Sequence, residues 1–486
     1  MMSEILKQIS KNSFIYSLAG IIGRIISFFM IPIYTQYLNP EDYGIVEILD
    51  ITTYIFGMII GSGMVSSILR FYHEYDDEMQ SRQFVSTALI FIFFLEIFSL
   101  GITYYFSNEI ALFTFGSDKY ALYFRIVFIN LHINILSELA LAYIRAKREA
   151  IRFMILTLAR VALGILLNVY LIVFVHLGIW GVLYGSLISS GINVTILIML
   201  TITEVKICFS LDKLKEMLRY GIPLIPASVG MFVLTFADRF FLQKYATLSA
   251  VGVYSLGYKG GMIINGFLTT PFLLFWSSYM YEIDNKKNAK ELFAKIQGYF
   301  SFSLMLSALI LSLFSDIFVR FVSPPAYWEA SKIIPIIAFS YVALGFNYSF
   351  HTGIQIKKET KYIAYSSGVG AILNILLNYA LIPSYYEWGA SLATFLSFSS
   401  MAIGNFMASQ YLYPIRFEYE RLFKMFISIL IIFFLSRLIT FFSIIQEIIV
   451  DIFLLSSLPF ILWTMSFYRD DEIKILKRWI KIFVMR

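Results

Sequence analysis

The residues with the clearest potential for chemistry are ionisable side chains embedded in long apolar stretches of the chain. In the hydrocarbon region of a bilayer such groups are costly, so they usually pair with one another or face a water-filled cavity. Cations placed there suit an anionic ligand, and carboxylates suit a proton or a metal cation. The residues are Arg24, Glu47, Asp50, Glu96, Arg125, Glu138, Arg160, Asp238, Arg239, Lys259 and Arg437.

Glu47 and Asp50 form an acidic pair whose spacing puts both carboxylates on one face of a helix. One interpretation is a binding site for a coupling proton or Na⁺. The other is a structural pairing with Arg24 across the first helical hairpin. The spacing is consistent with both interpretations, so both stay open.

Two of the cations are candidate contacts for an anion. Arg24 lies about eleven residues into its apolar stretch, roughly 16 Å of helix, which is too deep for easy escape to water. It therefore lines a cavity or belongs to a buried ion pair. Lys259 stands among Gly257, Gly260 and Gly261, where backbones can approach closely, and either a structural or a ligand-binding role fits it.

The remaining cations lie nearer to the ends of their stretches. Asp238 and Arg239 are adjacent and close to the outer end of a predicted helix, where they either anchor the helix or contact a ligand. Arg125 lies near a helix end, and Arg437 lies outside the internal repeat described below. We expect structural roles for Arg125 and Arg437.

Motifs of enzymes and metal sites are not found in the sequence. It contains no GxxxxGK[ST] phosphate-binding loop and no GxSxG nucleophile elbow. The histidines, His73, His132, His176 and His351, show no metal-ligand spacing, and the single cysteine, Cys208, excludes an internal disulfide. We therefore expect a protein that is not an enzyme and has no cofactor or metal site, apart from a coupling proton or Na⁺.

The composition is that of a membrane protein. Of the 486 residues, 59% are hydrophobic and 14% are charged, whereas soluble domains have about 25% charged residues. Hydropathy predicts an all-α polytopic fold with about 14 transmembrane helices. The predicted spans lie near 13–38, 43–68, 84–106, 120–143, 152–175, 178–202, 220–242, 250–278, 297–319, 333–355, 362–383, 388–412, 422–442 and 446–467.

The basic residues indicate the orientation of these spans. Most of the 38 Lys and Arg residues lie at the termini or in alternate gaps, for example at 145–152 and 286–295, and the opposite gaps are short and nearly uncharged. The positive-inside rule then places both termini in the cytoplasm. The basic excess is a topology signal, so it does not imply a nucleic-acid partner.

The first twelve predicted spans contain an internal repeat. The matching segments, offset by about 210 residues, are ILLNVYLI at 165–172 with ILLNYALI at 375–382, KREA at 147–150 with KKET at 357–360, and YLNPEDYG at 37–44 with YATLSAVG at 245–252. We predict a six-helix half over 1–205, a second half over 206–415, and two extra helices with a basic cytoplasmic tail over 416–486. A repeat of six spans keeps its orientation, which is typical of transporters with a binding site between the halves.

Several motifs resemble the Wzx polysaccharide-repeat flippases of the multidrug/oligosaccharidyl-lipid/polysaccharide exporter superfamily. They are NSFIY at 12–16, PIYTQYLNPEDYG at 32–44, RFY at 70–72, ADRFFL at 237–242 and VGVYSLGYK at 251–259. Each motif is loose, but their combination with fourteen spans in two halves plus two is the layout of that family.

The resemblance implies an alternating-access carrier with a cavity walled by spans 1, 2, 7 and 8. The cargo of that family is an undecaprenyl-pyrophosphate-linked oligosaccharide, which moves from the cytoplasmic to the outer leaflet of the bacterial inner membrane for O-antigen, capsule or exopolysaccharide assembly. Arg24, Arg239 and Lys259 lie on those spans and would contact the diphosphate. Membrane lipids, a polysaccharide polymerase and a chain-length regulator are the further partners implied.

Other functions are open at this point. Multidrug exporters of the same superfamily usually have twelve spans, so the last two spans count against that function. A flippase for the peptidoglycan lipid precursor also has fourteen spans and is poorly separated by sequence. A membrane polymerase or ligase is disfavoured because the longest outer gap, 107–119, is too short for a catalytic loop.

The orientation is testable with reporter fusions. Fusions after Arg148 and Lys287 should report a cytoplasmic location, and a fusion after Ser384 should report the opposite side, because basic gaps stay inside. A topology-sensitive enzyme such as alkaline phosphatase gives the readout. A reversed signal at any one of the three positions would refute the predicted number of spans.

Overall fold

The computed structural model describes residues 2–72, 74, 78–205, 207–284, 286–439, 443–469 and 472–473. Within these ranges the side chains of 2–17, 19, 24, 62, 78, 224, 227 and 278 lie outside the description. Every regular element in the described ranges is helical, which confirms the all-α prediction.

Seventeen α-helices run in chain order through the described residues. The first nine are α1 (Met2–Tyr37), α2 (Pro40–Phe71), α3 (Glu78–Tyr105), α4 (Ser107–Phe115), α5 (Ala121–Ala146), α6 (Ala150–Val169), α7 (Ile179–Val205), α8 (Leu211–Gly221) and α9 (Ile225–Tyr245). The others are α10 (Leu248–Ile264), α11 (Thr270–Asp284), α12 (Ala289–Leu313), α13 (Ser315–Val322), α14 (Ile334–Ile356), α15 (Lys361–Leu412), α16 (Tyr419–Leu438) and α17 (Ile444–Thr464).

Within the described residues the predicted spans fall on these helices, with 250–278 divided between α10 and α11 and 297–319 between α12 and α13. Residues 440–442 of the predicted span 422–442 lie outside the described residues. Two of them, 362–383 and 388–412, lie within α15, which is broken at Tyr386, where φ is 45°. Among the described residues, eight helices are long and apolar enough to cross a membrane, or nine if one bent pair is counted as a span. The count of fourteen remains a prediction, and the polytopic character is confirmed.

Local chemistry explains the turn between α1 and α2. The Asn39 side chain accepts a hydrogen bond from the Asp42 backbone N–H at 2.8 Å, and Pro40 occupies the first helical position. Asn is a favoured N-cap, and Pro there gives up an N–H that would have no partner in the helix anyway. Glu41 and Asp42 add favourable negative charge in the first turn.

The repeat appears as matching local conformations. Arg148 and Lys358, which are equivalent in the alignment, have φ values of 60° and 59°. The residue after each donates its backbone N–H to the carbonyl five positions earlier, Glu149 to Ile144 and Glu359 to Ile354. Because a left-handed residue other than glycine is uncommon, the same strained turn at both positions supports the duplication.

A second match concerns helix packing at glycine. A Cβ on Gly181 would lie 2.9 Å from Ile172, and a Cβ on Gly389 would lie 2.6 Å from the carbonyl oxygen of Leu381. In the first half the contact joins α7 to the helical turn Tyr170–Phe174, which follows α6. In the second half it joins the two parts of α15. Each half therefore uses a glycine for the same close approach.

The chain forms two compact units. The first comprises 1–255, 322–327 and 371–390, and the second comprises 256–321, 328–370 and 391–486. The core of the first unit includes Phe71, Phe84 and Tyr143, and a core in the second unit includes Trp276 and Phe293. The predicted boundaries at 205 and 415 are based on the sequence repeat, whereas these units are defined by their compactness. The predicted division therefore stays a prediction.

Glycine is required where α2 and α10 begin. A Cβ on Gly44 would lie 2.0 Å from the carbonyl oxygen of Leu248, and a Cβ on Gly252 would lie 2.0 Å from that of Pro40. Gly44 and Gly252 are equivalent in the repeat, so the two helices cross at matching positions. Any side chain here forces the two backbones apart.

We predict that Gly44→Ala destabilises the protein by at least about 3 kcal/mol, the upper end of the usual cost of overpacking. The cost is high because the obstructing atom is the backbone carbonyl oxygen of Leu248, which cannot move aside as a side chain can. Thermal unfolding of the purified protein in detergent measures the effect. Gly101→Ala is the control, since nothing lies within 4 Å of a Cβ at that position in α3. Equal melting temperatures for the two variants would contradict the proposed crossing.

Candidate functional site

The packing of α2 against α9 determines which predicted site residues lie at the same height along the two helices. The Tyr54 ring on α2 lies 5.9 Å from the Phe232 ring and 5.6 Å from the Phe236 ring on α9. Near the other end of α2, Gly63 meets Gly221, which precedes α9 in the chain. The two helices therefore run antiparallel, and one turn beyond the Tyr54 contact lie Asp50 on α2 and Asp238 with Arg239 on α9.

Asp238 and Arg239 form a buried ion pair, each only 2% exposed. The Arg239 Nη1 donates to Asp238 Oδ1 at 2.7 Å, and the Tyr254 hydroxyl on α10 donates to Asp238 Oδ2 at 2.5 Å. The guanidinium also lies 5.2 Å from the Tyr254 ring and 5.5 Å from the Phe236 ring. In this conformation Arg239 is neutralised by its neighbour, as the anchoring interpretation expects, and its contact with a ligand stays a prediction.

Glu47 and Asp50 share one face of α2, as their spacing predicts. Asp50 is exposed and Glu47 is half-buried. Because an exposed carboxylate in a transmembrane helix requires water or polar groups around it, this face of α2 borders a polar space. Binding of a coupling ion by the pair and neutralisation of Arg24 by the pair both stay predictions.

Lys259 is half-buried on α10. A Cβ on Gly257 or Gly261 would lie 2.7 Å from Ile333 or Ile337, respectively, so these glycines face α14 and the residues just before it. The helical period then places Lys259 on the other side of α10. The prediction that helices approach closely at these glycines is confirmed, and the ligand-binding role of Lys259 stays a prediction.

Arg24 lies in α1, well before its end at Tyr37. Its side chain lies outside the described part of the structure. The helical backbone position agrees with the prediction of a residue deep within the first span, and its role stays a prediction.

An ion pair that sequence reasoning did not assign to a site joins α5 and α6. Arg160 Nη1 lies 3.1 Å from Glu138 Oε1, and the two side chains are 30% and 46% exposed. Next to it on α5, Asn134 accepts a hydrogen bond from Ser190 of α7 at 3.2 Å. Both charges lie within predicted spans, so their exposure indicates a second polar surface in the first unit. Residues this far apart in the chain give no sequence signal of pairing.

Arg125 and Arg437 have the structural roles expected of them. Arg125 Nε donates to Ser107 Oγ at 2.9 Å and ties α5 to the start of α4. Arg437 Nη1 lies 2.9 Å from Asp316 Oδ2 and ties α16 to α13. Nearby on α17, the fully buried Asp451 accepts a hydrogen bond from Ser436 at 2.8 Å, which sequence reasoning missed.

A charge network stabilises the turn between α5 and α6. The Lys147 ammonium lies 2.7 Å from Glu149 and 2.6 Å from Glu204, and Arg152 bridges the same two carboxylates. Burial opposes ionisation of Glu149, but hydrogen bonds from Lys147 and Arg152 outweigh it and lower the pKa of that carboxyl. The network joins the turn to the end of α7.

The second unit contains an aromatic cavity of about 690 Å³ between α12, α14, α16 and α17. Arg421 lines it and pairs with Glu418 and Glu472 at 2.8 and 2.9 Å. Of the predicted site residues whose side chains are described, none lines this cavity. In the described ranges no group of three or more His, Cys, Asp or Glu side chains is placed to hold a metal ion.

Comparison with known families identifies the chain. The family model described as polysaccharide biosynthesis protein matches residues 33–332. The chain belongs to this polysaccharide biosynthesis protein family. The match covers most of the chain and includes α2, α9 and α10, which carry the charged residues described above.

Two curated proteins are similar to the chain over part of its length. An uncharacterised membrane protein of Methanocaldococcus jannaschii is 26% identical over 207 residues, 41% of this chain and 40% of that protein. The succinoglycan biosynthesis transport protein ExoT of Rhizobium meliloti is 21% identical over 240 residues, 49% of this chain and 47% of that protein. The chain thus spans less than half the length of either relative.

Solved structures show the fold. The lipid II flippase MurJ in an inward closed conformation matches with a TM-score of 0.76 and 15% identity, covering 94% of this chain and all of that one. An inward-facing MATE family multidrug transporter of the MOP superfamily matches with a TM-score of 0.62 and 16% identity, over 82% and 94% of the two chains. The chain is therefore a multi-pass membrane protein with the fold of these two proteins.

We predict that the ion pair between Asp238 and Arg239 is strongly coupled. Asp238→Asn leaves a buried guanidinium without its adjacent carboxylate and should destabilise the protein by about 3–5 kcal/mol. Adding Arg239→Gln should recover part of the loss, because the double variant buries no net charge. Thermal unfolding of the three variants measures the coupling energy. Additive losses would show that the two side chains act independently.

Proposed function

We propose that the protein flips an undecaprenyl-pyrophosphate-linked oligosaccharide from the cytoplasmic to the outer leaflet of the bacterial inner membrane. Membership of a polysaccharide biosynthesis family and the flippase fold support this proposal. The cargo would supply repeat units for O-antigen, capsule or exopolysaccharide assembly. Both termini would lie in the cytoplasm, and a polysaccharide polymerase and a chain-length regulator would act on the product.

The observation that carries the proposal is the set of charges inside transmembrane helices, some exposed and some held in ion pairs. The exposed Asp50 and the half-buried ion pair of Glu138 with Arg160 require a hydrated path. A sugar head group needs such a path, whereas its hydrocarbon tail can stay in the lipid. The chain therefore has the polar surfaces that a large hydrophilic head group requires.

The diphosphate requires cations, and we assign them as Arg24, Arg239 and Lys259. Arg239 is held by Asp238 in this conformation, so the diphosphate would take the place of Asp238 at the guanidinium. Exchange of one anion for another avoids a step in which a buried cation has no counter-charge. Asp238 would recover the guanidinium when the cargo leaves.

The driving force need not come from a nucleotide. Moving a negative head group out of a negative-inside cell is downhill by about 2.3 kcal/mol per charge per 100 mV. Glu47 or Asp50 would add coupling to a proton or Na⁺ entering in exchange.

A flipping assay in proteoliposomes tests the proposal. The purified full chain is reconstituted with undecaprenyl-pyrophosphate-linked oligosaccharide, and the fraction accessible to an added glycosidase is followed with time. Wild-type protein should accelerate the exchange between leaflets. Arg24→Ala and Lys259→Ala should each slow it by about 10- to 100-fold, which corresponds to one charge-assisted hydrogen bond.

The control is Lys286→Ala, which removes a cation outside the spans that lies 3.8 Å from Glu282. It should flip like wild type. No acceleration by wild-type protein would overturn the function, and transport of a cationic dye instead would favour a multidrug exporter. Undiminished flipping by Arg24→Ala or Lys259→Ala would remove that residue from the site. In cells, Arg24→Ala should abolish surface polymer at unchanged protein abundance.

A further inference from the structure

Glu96 on α3 and His132 on α5 meet inside the first unit, away from the α2–α9 contact. Each is only 3% exposed. The Glu96 Oε2 contacts His132 Nδ1, and His132 Nε2 lies 3.3 Å from Thr103 Oγ1 on α3. Within the described residues, Glu96 Oε1 is buried and makes no hydrogen bond. The imidazole therefore spans two turns of α3, with one ring nitrogen on an acid and the other on a hydroxyl.

The hydrogen bonds of Thr103 determine where the imidazole protons lie. The Thr103 hydroxyl donates to the carbonyl oxygen of Ser99 at 2.9 Å, one turn earlier in α3. Because a hydroxyl has a single proton, Thr103 accepts from His132 as long as it donates to the Ser99 carbonyl. In that arrangement His132 Nε2 carries a proton and donates it to Thr103.

The contact between Glu96 and His132 Nδ1 requires a second proton. If Nδ1 is bare, Glu96 is protonated and donates to it, and if Nδ1 is protonated, the ring is a cation beside a carboxylate. Both arrangements hold one proton more than a carboxylate beside a neutral imidazole, and both are neutral overall. The bare Oε1 favours the protonated carboxylic acid, because a buried anionic oxygen without a donor is costly.

We propose that Glu96 and His132 form a proton-binding site, occupied by one proton in this conformation. The ligand is H⁺, and the site is built from α3 and α5 alone. Its occupancy does not depend on the cargo proposed above. It also differs from Glu47 and Asp50, because Asp50 is exposed, whereas Glu96 and His132 are both buried.

The charged groups on the packed helices lie at other positions. On α5, Arg125 lies two turns before His132 and is held by Ser107, and Glu138 lies beyond it and is paired with Arg160. The nearest acids on α4 and α2 are Glu109 and Asp50, both exposed. On α8, Lys213 Nζ donates to the Gln80 carbonyl at the other end of α3. At this level α7 presents Ser189 and Ser190, which are uncharged.

Loss of the proton would change the hydrogen bonds of Thr103. A single ring proton cannot serve both nitrogens, so it moves to Nδ1 beside the carboxylate and leaves Nε2 bare. Nε2 then faces the Thr103 oxygen unless the hydroxyl leaves the Ser99 carbonyl and donates to the ring. Proton release therefore costs one hydrogen bond, either the bond from Thr103 to the Ser99 carbonyl within α3 or the bond between Thr103 and His132 that joins α3 to α5.

Nitrogen-15 NMR of histidine-labelled full-length protein in lipid nanodiscs tests the site without any cargo. The His132 resonance is the one lost in His132→Gln. If His132→Gln does not fold, the His132 resonance is assigned instead as the one that shifts in Glu96→Gln and stays in place in the control Glu109→Gln. We expect a protonated Nε2 at neutral pH. A neutral ring with a bare Nε2 and a protonated Nδ1 would overturn the proposal.

A second measurement follows the carboxyl group. Infrared spectra of wild-type protein at neutral pH should contain a protonated-carboxyl C=O band that is lost in Glu96→Gln and kept in Glu109→Gln. If the band is absent, the NMR spectrum should show both ring nitrogens protonated, which still counts one bound proton. Absence of the band together with a neutral His132 ring would contradict the site.

Discussion

The interior of a bilayer offers no hydrogen-bond partners, so a polar side chain in a membrane helix must find a partner on a neighbouring helix or reach water. This constraint sets the rotation of the helices here. Arg239 meets Asp238 and Tyr254, Glu96 meets His132, and the pairs together connect α9 to α10 and α3 to α5. Each contact is satisfied in one rotation of its helix, so the polar groups specify the packing that the apolar residues alone would leave open.

Close packing at glycine and the placement of charge depend on each other. Gly44 against Leu248 and Gly63 against Gly221 hold both ends of α2 near the segments that flank α9. Tyr54 then packs against the rings of Phe232 and Phe236. That register places Asp50 at the level of Arg239, so a substitution at either glycine would shift acid and cation relative to each other. The glycines therefore affect the site by fixing the spacing of the helices that carry Asp50 and Arg239, and not by contacting these two residues.

Much of the fold could be predicted because its signals are local. Apolar length predicts the spans, and Asn39 followed by Pro40 predicts a helix start through their capping preferences. The pairing of side chains could not be predicted in the same way. Glu138 and Arg160, or Glu96 and His132, lie on different helices, and only the packed structure shows that they meet. The break at Tyr386 lies in the gap between the predicted spans 362–383 and 388–412, but the positive φ there falls on a tyrosine, which the residue type does not indicate.

The adjacency of Asp238 and Arg239 has a consequence for a carrier that must release its cargo. A diphosphate bound by a buried guanidinium would leave slowly if its departure exposed an uncompensated cation. Asp238 is the next residue in the chain, so its carboxylate is present at high effective concentration at all times. In the proposed function it would replace the departing phosphate without diffusing, and Tyr254, which donates to Asp238 Oδ2, would orient it for that exchange. A cation with a tethered counter-ion thus binds its ligand less tightly than a lone cation, and that weaker binding is what a transport cycle requires.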